Sequence, residues 1–142
     1  MRIDVLNGVN LDLLGRRDPA LYGDGSLSDL ETQIYAWAVE LGLQVRCRQT
    51  NHEGEYVEWL HQALGVADGL ILNPGAWSHY SWAIRDAAEA VAAPLVEVHI
   101  SNVDEREEWR RRSVLEGLTV GRIVGKGLEG YREALQLLKG RE

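Results

Sequence analysis

The chain has 142 residues, with 15 Lys+Arg against 22 Asp+Glu, a formal net charge of −7, and 45% hydrophobic residues. That balance reads as one soluble globular domain over residues 1–142. It is too apolar for a disordered chain, too acidic for a general nucleic-acid binder, and has no apolar run near the roughly 20 residues of a membrane span. The single cysteine, Cys47, excludes an internal disulfide and a Cys-based zinc site, and with no signal-peptide pattern after Met1 it points to a cytoplasmic protein.

Five short apolar runs are spaced along the chain: Ile3–Leu6, Leu43–Arg48, Gly69–Leu72, Leu95–Val98 and Val120–Val124. Each reads as a strand, and the lack of strict alternation points to parallel strands buried on both faces. Helical spacing fills the intervals. Ser28-Asp29-Leu30-Glu31 fits a capping box, followed by Leu30, Ile34, Trp37, Ala38 and Leu41, with Gly42 as the stop. Val57, Leu60, Ala63 and Leu64 mark a second helix, and Ile84, Ala87, Ala88 and Val91 a third that stops before Pro94. Glu105–Arg112 reads as a short charged helix, and Leu128, Tyr131, Leu135 and Leu138 mark the last. Five β/α repeats predict an open, doubly wound α/β domain, whose ligands bind beyond the carboxyl ends of the strands.

That rule brings four polar segments to one rim: Asn7–Asn10, Asn51–Glu53, Asn73–His79 and His99–Asn102. The stretch from Gly8 to Gly23 reads as a loop without helix, far longer than the usual connection of about 2–6 residues. It carries Arg16, Arg17 and Tyr22, suited either to closing over an anionic ligand or to an ordinary solvated excursion. Glu97 and His99 are two apart on one strand, so both point to the same face, where a carboxylate orients an imidazole for acid catalysis. His52 and His61 read as surface histidines. Ser78 reads as a helix N-cap rather than a nucleophile, because no G-x-S-x-G elbow surrounds it. Asn73 and Gly75 offer groups for oxygen ligands, and Asp86 either pairs with Arg85 or reaches a neighbouring subunit. Arg106 and Arg110 share a face, so that one of them turns inward while the rest of the run is solvated. Trp77, Trp82 and Trp109 fall near the rim and suit core or interface packing. Neither a nucleotide-binding glycine fingerprint nor a paired metal-ligand spacing is present, and no metal is expected.

Four stretches, in order along the chain, resemble the type II 3-dehydroquinate dehydratases. They are Asn7–Gly23, Asn51–Glu55, Leu72–Ser81 with Arg85-Asp86-Ala87, and Glu97–Asn102 with Arg106-Glu107 and Arg110. The resemblance spans nearly the whole chain. It implies a flavodoxin-like fold with a five-stranded parallel sheet, a homododecamer built of trimers, and cofactor-free dehydration of 3-dehydroquinate to 3-dehydroshikimate in the shikimate pathway. No Schiff-base lysine is needed in this type, and the only lysines, Lys126 and Lys139, lie far from the motifs. By resemblance, Tyr22 is the base, Arg17 promotes its ionised form, Asn10 holds an enolate-stabilising water, and His99 is the acid oriented by Glu97. The same resemblance has Asn73, His79 and the N–H groups of Ile100 and Ser101 hold the substrate carboxylate and hydroxyls. Arg110 binds ring hydroxyls and Asp86 acts from an adjacent subunit. Free tyrosine has a pKa near 10, so about 4 kcal/mol of preferential stabilisation is needed to make a phenolate available at neutral pH.

Three departures from the family pattern stand out. Val9 replaces the usual proline, Asp104 the usual histidine, and Glu116-Gly117 the common Ser-Pro. They bear on loop geometry more than on reaction type. They also leave room for a relative with altered substrate choice, alongside a nucleotide or flavin module and a purely structural oligomer.

Overall fold

In the computed structural model, which describes residues 1–142, the strands are β1 (Arg2–Asn7), β2 (Gln44–Gln49), β3 (Gly69–Asn73), β4 (Leu95–His99) and β5 (Gly121–Val124). The helices are α1 (Pro19–Tyr22), α2 (Leu27–Leu41), α3 (Glu53–Ala63), α4 (Trp82–Glu89) and α5 (Glu129–Gly140). All four strand pairings are parallel, in the order β2-β1-β3-β4-β5. This is the flavodoxin-like order, with its switch point between β1 and β3. Every residue of β3 and β4 is buried, which is why those segments read as near-continuous apolar runs.

Two cores flank the sheet. On one face α2 and α5 pack Leu30, Ile34, Leu135 and Leu138 over Ile3, Val5, Ile71, Val96 and Val98. On the other, α3 and α4 pack Tyr56, Leu60, Ile84 and Ala88 over Leu6, Leu70, Leu72 and Leu95. No helix is long and apolar enough to cross a membrane.

Several local expectations are corrected. The capping box of α2 is Ser26 with Asp29, not Ser28 with Glu31: Ser26 Oγ accepts from Asp29 N at 3.1 Å and Asp29 Oδ2 from Ser26 N at 3.0 Å. Two overlapping box patterns compete here, and starting at Ser26 lets Leu27 pack against the core. In α3 the buried face is Tyr56, Leu60 and Ala63, whereas Leu64 lies past the helix end and is exposed. The Gly8–Gly23 stretch is not free of helix. It holds a 3-10 turn at Leu11–Leu13 and the short helix α1, started by Pro19 behind the Asp18 cap, which accepts from Ala20 N at 3.0 Å. Glu105–Arg112 is not one helix but two 3-10 turns, Val103–Glu105 and Glu108–Arg111. They are broken at Arg106, whose backbone is extended.

At the switch point the turns after β1 and β3 interlock. Gly8 N donates to Asn73 O at 2.8 Å, and a Cβ on Gly8 would lie 2.4 Å from Pro74 O. Gly75 has φ +65°, and its Cβ would lie 2.6 Å from Val9 O. Backbone oxygens cannot swing aside as a side chain does, so both positions require glycine. Gly8→Ala is expected to lower stability by about 1–3 kcal/mol, the usual cost of overpacking. The urea midpoint should fall at unchanged slope. An unmoved midpoint would show that the two turns slide freely past each other.

Candidate active site

The carboxyl ends of β1, β3 and β4 open into one pocket. It is lined from β1's turn by Val9 and Asn10, from the first long connection by Arg17 and Tyr22, and from β3's turn by Asn73, Gly75 and His79. The other wall is His99, Ile100, Ser101, Arg106 and Arg110. Three of the four segments that the sequence placed on the rim therefore meet at the switch point, where the strand order predicts a ligand site, while Asn51–Glu53 lines no part of the pocket.

Tyr22 is the pocket's most heavily engaged side chain. Although it sits on a loop helix, it is buried, and its ring packs with the α2/α5 core. Arg17 Nη2 donates to Tyr22 Oη at 2.6 Å, and its guanidinium lies 3.8 Å from the ring centroid. Arg106 Nη1 donates to the same oxygen and, at 3.2 Å, to Ser101 Oγ. Arg106 was one of two candidates to turn inward; both it and Arg110 line the pocket, but only Arg106 reaches Tyr22. Its break from the helical path is what frees the side chain to do so. The sequence singled out Arg106 and Arg110 from the run by their shared face, but not which of the two reaches Tyr22. Arg16, by contrast, is exposed.

Across the pocket, His99 Nε2 and Glu97 Oε2 are 2.6 Å apart, and both residues are buried. Ser113 Oγ donates to the same carboxylate at 2.8 Å. Burial alone would raise the Glu97 pKa. The hydrogen bond and charge of His99, the Ser113 hydroxyl and the Arg122 guanidinium outweigh it, leaving the carboxyl below its ordinary value. An ionised Glu97 accepts from Nε2–H, so a second proton on His99 sits at Nδ1. His79 stacks beside His99, with ring centroids 6.0 Å apart. Its Nδ1 donates to Arg112 O at 2.7 Å, which fixes the neutral tautomer with Nε2 bare. Burial, with the charges of His99 and Arg110, holds His79 below the usual imidazole value despite the Arg112 carbonyl.

Asn73 is already committed in part. Its Nδ2 donates to Tyr131 Oη at 2.9 Å, and its Oδ1 accepts from Gly75 N at 3.2 Å, leaving one amide hydrogen free. Tyr131 Oη donates to Asn7 Oδ1 at 2.6 Å, a buried bond from α5 to the ends of β1 and β3. Asn10 has a left-handed backbone at φ 69°, which asparagine tolerates, and its N–H is held by Asn51 Oδ1 at 2.8 Å. Asn51 thus supports the pocket without lining it, while His52 and His61 are exposed. Arg110 lines the pocket with its Nε tied to Glu107.

One expectation ends elsewhere, and one of the two readings of Asp86 falls away. Ser78 is not the cap of α4. Its Oγ donates to Gly75 O at 2.8 Å, while Ser81 Oγ accepts from Ile84 N at 3.1 Å as the cap. The cap falls three residues later because Gly75–His79 first completes a 3-10 turn. Asp86 is exposed on α4, outside this chain's pocket, and it does not pair with Arg85, which bonds to Glu89 and to the carbonyls of Val114 and Glu116. Trp77 is buried, but Trp82 and Trp109 are exposed, under Arg112 and Arg110 respectively, and Trp109 meets the pocket's His79 edge-on with ring centroids 5.3 Å apart.

The family description "Dehydroquinase class II" matches residues 1–139. A 3-dehydroquinate dehydratase of Pelobacter propionicus is 52% identical over 136 residues, covering 94% of this chain and 91% of that protein. Among solved structures, a type II dehydroquinase from Propionibacterium acnes superimposes with a TM-score of 0.94 at 46% identity, covering 98% of this chain and 96% of that one. A 3-dehydroquinate dehydratase-like protein from Bifidobacterium longum aligns at a TM-score of 0.73 and 33% identity, covering 99% of this chain and 96% of that one.

Proposed function

The chain belongs to the class II dehydroquinase family, and from that premise we propose that it is a hydro-lyase converting 3-dehydroquinate to 3-dehydroshikimate, with Tyr22 as base and His99 as acid. The observation that carries this reading is the pairing of two opposite devices across one pocket. Two guanidinium groups donate to a single phenol oxygen, and a carboxylate-bound imidazole faces them.

A guanidinium hydrogen bond is stronger to a phenolate than to a phenol. Arg17 and Arg106 therefore favour the form of Tyr22 that accepts a proton from the carbon beside the ketone. The electron pair of that C–H bond forms the enolate. As the enolate collapses, the C–O bond to the β-hydroxyl breaks, and His99 Nδ1 supplies the proton with which the hydroxyl departs as water. The proton gained by Tyr22 then returns to His99 to reset the pair. Ionised Glu97 supports the charged imidazole before the transfer and holds the ring in place throughout.

The remaining roles follow the resemblance. Asn10 holds a water against the enolate. The free Asn73 amide hydrogen, His79 and the N–H groups of Ile100 and Ser101 take the carboxylate and hydroxyls, and Arg110 takes ring hydroxyls. Asp86 acts from a neighbouring protomer in a dodecamer of trimers. Its exposure on α4, near the exposed Trp82, supports that assignment. The enzyme uses no cofactor and works in the cytoplasm.

The direct test follows the ultraviolet absorbance of the conjugated enone after 3-dehydroquinate is added to the purified protein. A catalytic rise is expected. Its absence from a folded protein would turn the assignment towards a relative with altered substrate choice.

A further inference from the structure

Strand register places a cation against the acid side of the pocket. Glu97 on β4 is paired with Arg122 on β5, so the two side chains share a face with His99. Arg122 Nε lies 4.0 Å from Glu97 Oε2. The far edge of the same guanidinium meets Asp104, with Nη1 and Nη2 each donating to a different carboxylate oxygen at 3.2 Å. The Asp104 carboxyl is held below the ordinary range chiefly by the Arg122 hydrogen bond. Both it and Arg122 are partly exposed, so the pair adds little to stability by itself. A two-oxygen clamp does, however, fix the direction of the guanidinium and therefore its distance from Glu97.

We propose that Arg122, clamped by Asp104, is a positioning residue for the Glu97–His99 pair, holding the carboxylate in place and moderating the negative charge it presents to the imidazole. The inference rests on the reading of His99 as the acid only where it touches turnover. The groups facing the pair from other elements are few, and Asp104, besides clamping Arg122, bears on His99 with its own charge. His79 stacks on His99 from the turn after β3, Tyr56 approaches Glu97 from α3, and Ser113 donates to the carboxylate. Arg110 bears on His79 from the pocket side. Arg122 is thus the arginine that acts on Glu97 directly. Without it, the carboxylate is less compensated, and the protonated imidazole gains.

The test is an NMR titration of the His99 ring in full-length protein carrying labelled histidine, alongside a kcat–pH profile. Arg122→Leu should move the ring titration up by roughly half a pH unit, the size of a part-exposed ion-pair coupling. Arg122→Lys keeps the charge without the two-oxygen clamp, so it should restore part of the original position, which a purely structural loss would not do. In an Asp104→Asn background the Arg122→Leu shift should shrink, because the clamp is already gone. An unmoved ring titration in folded Arg122→Leu, or an undiminished shift in the Asp104→Asn background, would overturn the proposal. Movement of the ring with an unmoved alkaline limb of kcat would sustain it and remove His99 as the acid.

Discussion

Tyr22→Phe is expected to lower kcat by about three orders of magnitude or more, at the strong end of what a positioned base contributes. The melting temperature should change by only a few degrees. The ring is what packs against the α2/α5 core, and phenylalanine keeps it. The lost hydroxyl leaves Arg17 and Arg106 without their shared acceptor, but both line the open pocket, and Arg106 keeps Ser101. The variant therefore separates chemistry from folding. Arg17→Ala and Arg106→Ala should each cost less than Tyr22→Phe, because one guanidinium remains on the oxygen. Together they should cost more than the product of the single losses, since each covers for the other. A Tyr22→Phe protein with near-native kcat would remove the tyrosine as base, whatever the family relationship.

The difference in role between Arg106 and its neighbours shows where the sequence stops being legible. The five strands, the burial of β1, β3 and β4, and the convergence of those strands' carboxyl ends follow from apolar runs and a topological rule. So does the Glu97–His99 contact, since a spacing of two on a strand admits only one face. By contrast, β2 and β5, also expected to be buried on both faces, are edge strands and partly exposed. Arg106, Arg110, Arg111 and Arg112 are chemically alike. Which of them reaches Tyr22 is decided by an extended backbone at one residue between two 3-10 turns, and no local pattern announces it. The interlock of Gly8 with Pro74 and of Gly75 with Val9 is likewise a contact between turns far apart in sequence. Asp104 stood out only as a departure from the family pattern. Its partner Arg122 sits in β5, an edge strand that the sequence read as buried like the others, and only register brings the two to Glu97.

Glu97 carries the second large effect, and here stability and turnover move differently. Glu97→Ala strips the acceptor from His99 and Ser113 within a buried setting, and about 3 kcal/mol of stability should be lost at neutral pH. The sign of the pH dependence follows from the direction of the shift. The folded protein holds this carboxyl below its ordinary value, so the unfolded chain binds the proton more readily. The stabilisation is then fully present above the unfolded value, near 4.3, and is lost as pH falls through the folded one. Urea denaturation at pH 7 and near pH 3 should accordingly show the gap between the parent protein and Glu97→Ala closing in acid. Glu97→Gln fills the same space and can still accept from Nε2–H through its amide oxygen, so it should lose less stability than the alanine variant. It cannot support a charged imidazole, and its kcat should nevertheless fall by about a hundredfold or more. If Glu97→Gln kept full turnover, the carboxylate would be a packing and hydrogen-bonding group only, and the acid would have to draw its proton without help from a neighbouring charge.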